Sequence, residues 1–279
     1  MPFWPDRFHM ETVRSGTAAA PFVGVLDDYE LNVTAVRCPA KRLLTSYSGP
    51  LVRVARLEDG VESDIAALPS GWLDLDALAT FLMGGTPLLR YVYDQRGSNN
   101  LVQAVALSQP TLGTAVSEWG GLPAIVFGGV PQMMSLETPT SPLSIMIGVH
   151  STSSTGFGRF FSNATGNSTM FDLGVSGAFG RWDNADGQQN VNFADASLAH
   201  GLEMWYNGAN SIIRLDTAEL ASAATAPLAD VVNFGDYALG GGQAFIGSMA
   251  YVVEVNAFYD ITQRAALRAA LASVFPFAL

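Results

Sequence analysis

Hydrophobic and polar positions alternate in short runs over most of this chain. Runs at Leu51–Leu57, Leu88–Tyr93, Ala124–Phe127, Ser144–His150 and Gly158–Ser162 read as strands. So do Thr169–Leu173, Gly177–Trp182, Gly201–Tyr206, Asn210–Leu215 and Ala244–Phe258. They are rich in β-branched or aromatic residues and bounded by Gly, Pro, Asn or Ser, the punctuation that strands leave. Asn207-Gly208 between two such runs supplies the positive φ values of a tight hairpin turn. Gly166-Asn167 marks a second hairpin. The 3.6-residue period shows in few places. Leu75, Leu78, Ala79 and Leu82 predict a helix over Leu73–Met83, opened by Asp74 or Asp76 and closed by Gly84-Gly85. A helix over Thr262–Phe275 is capped by Thr262 in this reading, and a third spans Thr217–Ala224. Many strands and few helices predict an all-β, two-sheet sandwich of the jelly-roll kind with a C-terminal helix.

Residues 1–34 break the pattern. Pro2, Phe3, Trp4, Pro5, Phe8, Pro21 and Phe22 follow no period, and Asp27, Asp28 and Glu30 add acid. We expect an N-terminal arm over 1–34, packed on the body or on another chain, and one domain over 35–279. The chain is long enough, at 279 residues, to bury a core without disulfide or metal.

Composition narrows the chemistry. Against 25 acidic residues stand 14 Lys and Arg, for a formal charge of −11, which excludes a broad nucleic-acid surface. The lone cysteine, Cys38, excludes a disulfide framework and reads as a buried apolar residue. His9, His150 and His200 have no metal-ligand spacing. No apolar stretch is long enough to span a membrane. The start MPFWPDRFHMETVRSG lacks a basic residue group followed by an apolar run, so no secretory signal is read there. There is no Gly-x-Ser-x-Gly elbow and no phosphate-binding loop.

Three stretches together carry a resemblance. They are AKRLLTSYSGPLVRVAR at Ala40–Arg56 with Asp59-Gly60 and Asp64-Ile65, YDQRGSNNL at Tyr93–Leu101, and GSMAYVVEV at Gly247–Val255 with YDITQRAAL at Tyr259–Leu267. Over about residues 36–279 they resemble the concanavalin A-like (laminin-G-like) jelly-roll domains of phage structural proteins. They also resemble the catalytic domain of the α-L-arabinofuranosidases built on the same sandwich. Residue by residue, Asp94 reads as a loop organiser that accepts backbone N–H groups.

The second resemblance implies a retaining glycosidase with two carboxyl groups about 5 Å apart. Its nucleophile follows a Met-x-Asp-Met/Leu run. Here that run is Met170-Phe171-Asp172-Leu173, and the next residue is Gly174. The acid/base is matched by Gly235-Asp236, followed by Gly240–Gly242 and Phe245. One carboxylate cannot run this mechanism alone; Glu203, Asp172 or Asp183 could substitute. We therefore expect no catalytic residues and place the enzyme second.

The first expectation is a structural protein of a phage or phage-like particle: a head or tail decoration, spike or fibre module. It would be made in the host cytoplasm and located in the virion. The arm would hold other virion proteins, and the body would contact cell-surface polysaccharide. Weak sugar sites gain by avidity, so a homo-oligomer is expected. The expected ligand-binding residues are Trp182, Asp183, Asn184, Asp186, Asp236 and Tyr237, an aromatic base with amide and carboxylate groups. Trp119 and Trp205 are further aromatic candidates. No cofactor is expected; Asp183, Asn184 and Asp186 have loose oxygen spacing that could hold Ca²⁺. The alternatives are an arabinofuranosidase-like glycoside hydrolase and a cementing module without ligand.

Overall fold

The computed structural model describes residues 21–129, 132–140, 143–152, 157–163, 169–174, 179–184, 187–192, 199–207, 211–216, 218–222, 231–235 and 245–276. The first strands in chain order are β1 (Val33–Arg37), β2 (Pro50–Arg56), β3 (Glu62–Ala66), β4 (Pro87–Val92), β5 (Leu101–Val102) and β6 (Thr111–Val116). There follow β7 (Leu122–Gly128), β8 (Met134–Thr140), β9 (Ser144–Ser151), β10 (Phe157–Asn163), β11 (Thr169–Gly174) and β12 (Phe179–Asn184). The last are β13 (Gly187–Asn192), β14 (His200–Trp205), β15 (Ser211–Leu215), β16 (Ala218–Ser222), β17 (Val231–Phe234) and β18 (Ile246–Val255). Two α-helices accompany them, α1 (Leu75–Leu82) and α2 (Ile261–Ala272).

All named pairings are antiparallel, and the protein is an all-β sandwich. One ladder runs β3-β2-β4-β5-β8-β17-β10-β11-β12-β13. The other runs β16-β15-β14-β9-β18, and β18 continues to β7 at its start and to β1 at its end. β6 joins the layers by pairing with both β7 and β4. Alternation along each strand makes the core. Val54, Leu89, Leu101, Leu136 and Phe234 from the first ladder meet Ile145, Ile147, Leu202, Ile213 and Val252 from the second.

A second apolar cluster covers the other side of the second ladder. Trp119, Met146, Trp205, Tyr251 and Val253 pack there against Leu267, Leu271 and Phe275 of α2 and its C-terminal extension. Leu26 and Leu43 belong to the same cluster, and Leu26 N donates to Leu43 O at 3.0 Å. Of the expected arm, residues 1–20 lie outside the described residues.

Several expectations change. Within the helix expected over Thr217–Ala224, the described residues Ala218–Ser222 form β16, paired with β15 from Leu215↔Ala218 to Ser211↔Ser222. Its alanines favour a helix locally, but the turn at Asp216 (φ 53°) returns the chain alongside β15. The cap of α2 is Asp260, two residues before Thr262: its carboxylate accepts from Gln263 N, and Gln263 caps back. Asp74, not Asp76, caps α1. β18 lies centrally, between β9 and β1 or β7, and α2 covers a face of the sheet. Gly166, Asn167 and Gly208, at the foreseen hairpin turns, lie outside the described residues; the strands on either side, β10–β11 and β14–β15, are paired.

Candidate active site

One register row crosses the first ladder from edge to edge. It reads Asp64–Arg53–Tyr91–Val102–Ser135–Asn233–Ser162–Met170–Asp183–Gln188. The neighbouring positions Val52, Val92, Leu101, Met134 and Phe234 lie in the core. Since successive strand positions alternate between faces, this row lies on the face turned away from the core. It is polar at eight of its ten positions if Tyr91 is counted. At its middle, Ser135 Oγ donates to Asn233 Oδ1 at 2.7 Å, and Asn233 is only 4 % exposed.

At the β3 edge the row is built by side chains that hold one another. Arg53 grips Asp64 through Nε at 2.8 Å and Nη2 at 2.7 Å. Tyr93 donates its hydroxyl to Asp64 Oδ1 at 2.7 Å. The Tyr91 and Tyr93 rings lie parallel within 11°, with centroids 5.7 Å apart. Arg53 stands over the Tyr91 ring at 5.4 Å. The Arg53 hydrogen bond pulls the Asp64 carboxyl below its ordinary range. Burial, then the bond to Asp64, pushes the Tyr93 phenol up. Sequence reading missed this cluster because β3 was not recognised. The spacing of Tyr91 and Tyr93 was its visible signal.

Toward β13 the next row on the same face is Arg159–Asp172–Arg181–Asn190, and beyond it Phe157–Gly174–Phe179–Asn192. Asp172 thus has a cationic position opposite it on each neighbouring strand. Asp183 stands in the long row, and Asn184 opposite Thr169 and Gly187. Trp182 stands in the row of Phe234, Phe161 and Phe171, so Trp182 and Asp183 occupy opposite faces of β12. Asp186, Asp236 and Tyr237 lie outside the described residues. Their approach is partly visible. β17 ends at Phe234 and is followed by Gly235, whose φ of 103° needs glycine. Phe245 N donates to Gly235 O at 2.8 Å, which holds these two residues together. Only β10 separates β17 from β11. Gly235 and the Asp172 row therefore belong to one end of the face, with about 10 Å between their strands.

Other candidates are placed elsewhere. Glu203 is 2 % exposed on the opposite side of the second ladder. It accepts from Trp205 Nε1 at 2.9 Å and from Arg268 Nη2 at 3.2 Å, and is joined to Arg268 Nε as well. It anchors α2 and cannot substitute for a catalytic acid on the polar face. Trp119 and Trp205, 0 % and 1 % exposed, are core residues and not sugar platforms. His200 Nδ1 meets Asp216 Oδ2 at 2.5 Å, and Gly201 N donates to Asp216 Oδ1 at 2.9 Å, which fixes the β15–β16 turn. Asp94 organises its loop as expected, accepting from Val36 N at 2.9 Å and Arg96 N at 3.0 Å. Among the described residues no group of His, Cys, Asp and Glu is arranged to hold a metal ion, and no helix could cross a membrane.

Comparisons with known proteins agree with this architecture. Residues 32–119 match the family described as α-L-arabinofuranosidase B, catalytic. A probable α-L-arabinofuranosidase B of Aspergillus fumigatus is 38 % identical over 93 residues, which are 32 % of this chain and 18 % of that protein. An α-L-arabinofuranosidase of Hypocrea jecorina is 38 % identical over 71 residues, 25 % of this chain and 14 % of that protein. Among solved structures, an arabinofuranosidase complexed with arabinofuranosyl-α-1,2-xylobiose superposes with a TM-score of 0.72 at 13 % identity, covering 91 % of this chain and 65 % of that one. A GH54 α-L-arabinofuranosidase soaked with a cyclic sulfate inhibitor gives 0.70 at 14 % identity, covering 92 % and 66 %. The chain spans less than two thirds of these proteins. The expectation of a phage structural protein located in a virion is corrected: the relatives named here are α-L-arabinofuranosidases, those of Aspergillus fumigatus and Hypocrea jecorina among them. Over residues 32–119 the chain is related to the catalytic domain of arabinofuranosidase B, and over nearly its whole length it has the fold of solved arabinofuranosidases.

Proposed function

We propose that this protein is a glycoside hydrolase that releases α-L-arabinofuranosyl groups. The observation that carries the reading is the match of residues 32–119 to the arabinofuranosidase B catalytic family. The polar face of the first ladder supplies the surface for it. Hydrolysis adds water across the anomeric C–O bond. One carboxyl group protonates the leaving oxygen, and a carboxylate attacks the anomeric carbon or activates the water. Gly174 offers no carboxylate, so the second acid must come from nearby. Asp172 stands one row away on the same strand and face, with Arg159 and Arg181 positions opposite. An attacking or water-activating group requires a carboxylate, which Asp172 supplies. Asp236, next after the Gly235 turn, is the acid that protonates the leaving group.

The test is release of 4-nitrophenol from 4-nitrophenyl α-L-arabinofuranoside by the purified chain. Asp172→Asn and Asp236→Asn should each lower kcat by about 10²-fold or more. A cooperatively folded protein that releases none above background would overturn the reading.

A further inference from the structure

The Tyr91–Tyr93 pair is not accounted for by single-bond cleavage. Tyr91 lies on β4 and Tyr93 just past its end, five strands from β11 along the ladder β4-β5-β8-β17-β10-β11. At the strand spacing of a sheet that is about 24 Å from the Asp172 row, several sugar rings away. A single arabinosyl group held for cleavage cannot reach it.

We infer that Tyr91 and Tyr93, flanked by Arg53 and Asp64, form a remote stacking subsite for the backbone of a neutral polysaccharide. Three observations carry this. The rings are half-buried, parallel within 11° and on the same face of the sheet as the Asp172 row. The rings share one face, and Arg53 and Arg90 lie over Tyr91, so a sugar ring meets the stack at its outer face and edges. The rings are also held before any ligand arrives: Tyr93 by its hydroxyl on Asp64, Tyr91 by the Arg53 guanidinium. Groups already ordered lose little entropy on binding. Finally, each cation of the patch has an acid beside it: Arg53–Asp64 at 2.7 Å and Arg90–Glu62 at 3.6 Å. The patch is locally neutral on a chain of formal charge −11, which suits an uncharged polymer better than an anionic one. Arg53 and Asp64 keep 36 % and 40 % of their side-chain surface, leaving polar edges for sugar hydroxyls.

The inference rests on the hydrolase reading for the choice of polymer, and binding is therefore measured apart from cleavage. Soluble neutral arabinoxylan is the probe, with the full chain titrated calorimetrically and by affinity electrophoresis. Tyr91→Ala and Tyr93→Ala should each weaken binding about tenfold, the scale of one lost aromatic stack. Tyr93→Phe keeps the ring and should stay within threefold of wild type. Urea unfolding of each variant shows whether it is folded. Raising NaCl from 0.1 to 0.5 M should leave wild-type affinity within twofold. Binding unchanged in both folded alanine variants overturns the inference, as does a wild-type chain that does not bind the polymer or one whose affinity collapses in salt. A chain that binds through Tyr91 and Tyr93 but releases no 4-nitrophenol keeps the inference and overturns the hydrolase.

Discussion

Arg37 on β1 and Glu254 on β18, 217 residues apart in the chain, form a 2.6 Å ion pair whose side chains are 0 % and 2 % exposed. Arg37 Nε also donates to Asn99 O at 2.7 Å, which ties the β4–β5 loop to the same point. Arg37 Nη2 has no hydrogen-bond partner among the described residues, so the burial of this charge is incompletely offset.

Breaking the pair from one side should therefore be costly. Arg37→Met strands a buried carboxylate and should lower unfolding stability by about 3–5 kcal/mol. Arg37→Met with Glu254→Met should recover most of that loss, because no buried charge remains. Urea denaturation of the two single variants and the double variant measures the coupling. A double variant as unstable as the sum of the singles would show that the pair does not act as a unit.

Glu203 gives a contrasting case. Glu203→Gln leaves the guanidinium of Arg268, 3.2 Å from its carboxylate through Nη2, without its anion, while Arg214 keeps Glu219 at 3.6 Å. Stability should fall by about 3 kcal/mol, since one buried charge partner is lost. Turnover of 4-nitrophenyl α-L-arabinofuranoside by the folded fraction should not change. A drop in kcat of tenfold or more would place Glu203 in the chemistry after all.

Cys38 links stability to alkaline pH. Complete burial pushes its thiol from 9.0 to about 12. The folded state therefore keeps the proton that the unfolded chain releases. Stability from this group is fully present below pH 9 and is lost as pH rises from about 9 toward 12. Cys38→Ala should flatten the fall of urea midpoint over that range. Native Cys38 should react with a thiol reagent at pH 8 only as fast as the protein opens; immediate labelling would contradict its burial.

Gly235 should tolerate no side chain. A Cβ there would lie 2.3 Å from the Phe127 ring and 3.1 Å from Gln132 O, at a φ of 103°. Gly235→Ala should cost about 2 kcal/mol or more from backbone strain and overpacking together. Because Asp236 follows directly, kcat should fall more than that stability loss explains. Thermal unfolding and kcat measured on one preparation separate the two effects. Full activity in a destabilised variant would show that the turn does not position Asp236.

The runs that became β2, β4, β7, β9, β14 and β18 were legible because alternation with period two is a local property, set by which faces of a strand meet core and solvent. The same holds for the apolar period of α1 and for the burial of Cys38. Others were not legible for equally local reasons. Glu62–Ala66 has too few apolar residues to stand out as β3, and Ala218–Ser222 has the composition of a helix. The expectation of a phage particle came from a fold that many functions share, and fold-level likeness does not choose among them.

Sequence by itself determined that this chain forms an all-β sandwich with few helices, that Asp94 holds a loop, and that position 174 has no carboxylate. Only the tertiary structure decided who stands beside whom. It set Tyr91 opposite Arg53, Val102 opposite Ser135, and Ser135 opposite Asn233, 98 residues further on. It also removed Glu203 to the helix side and brought the Gly235 turn to the end of the face where Asp172 lies. The physical reason is that a strand's residues choose its two faces, whereas its neighbours are chosen by the path of the chain through two packed layers.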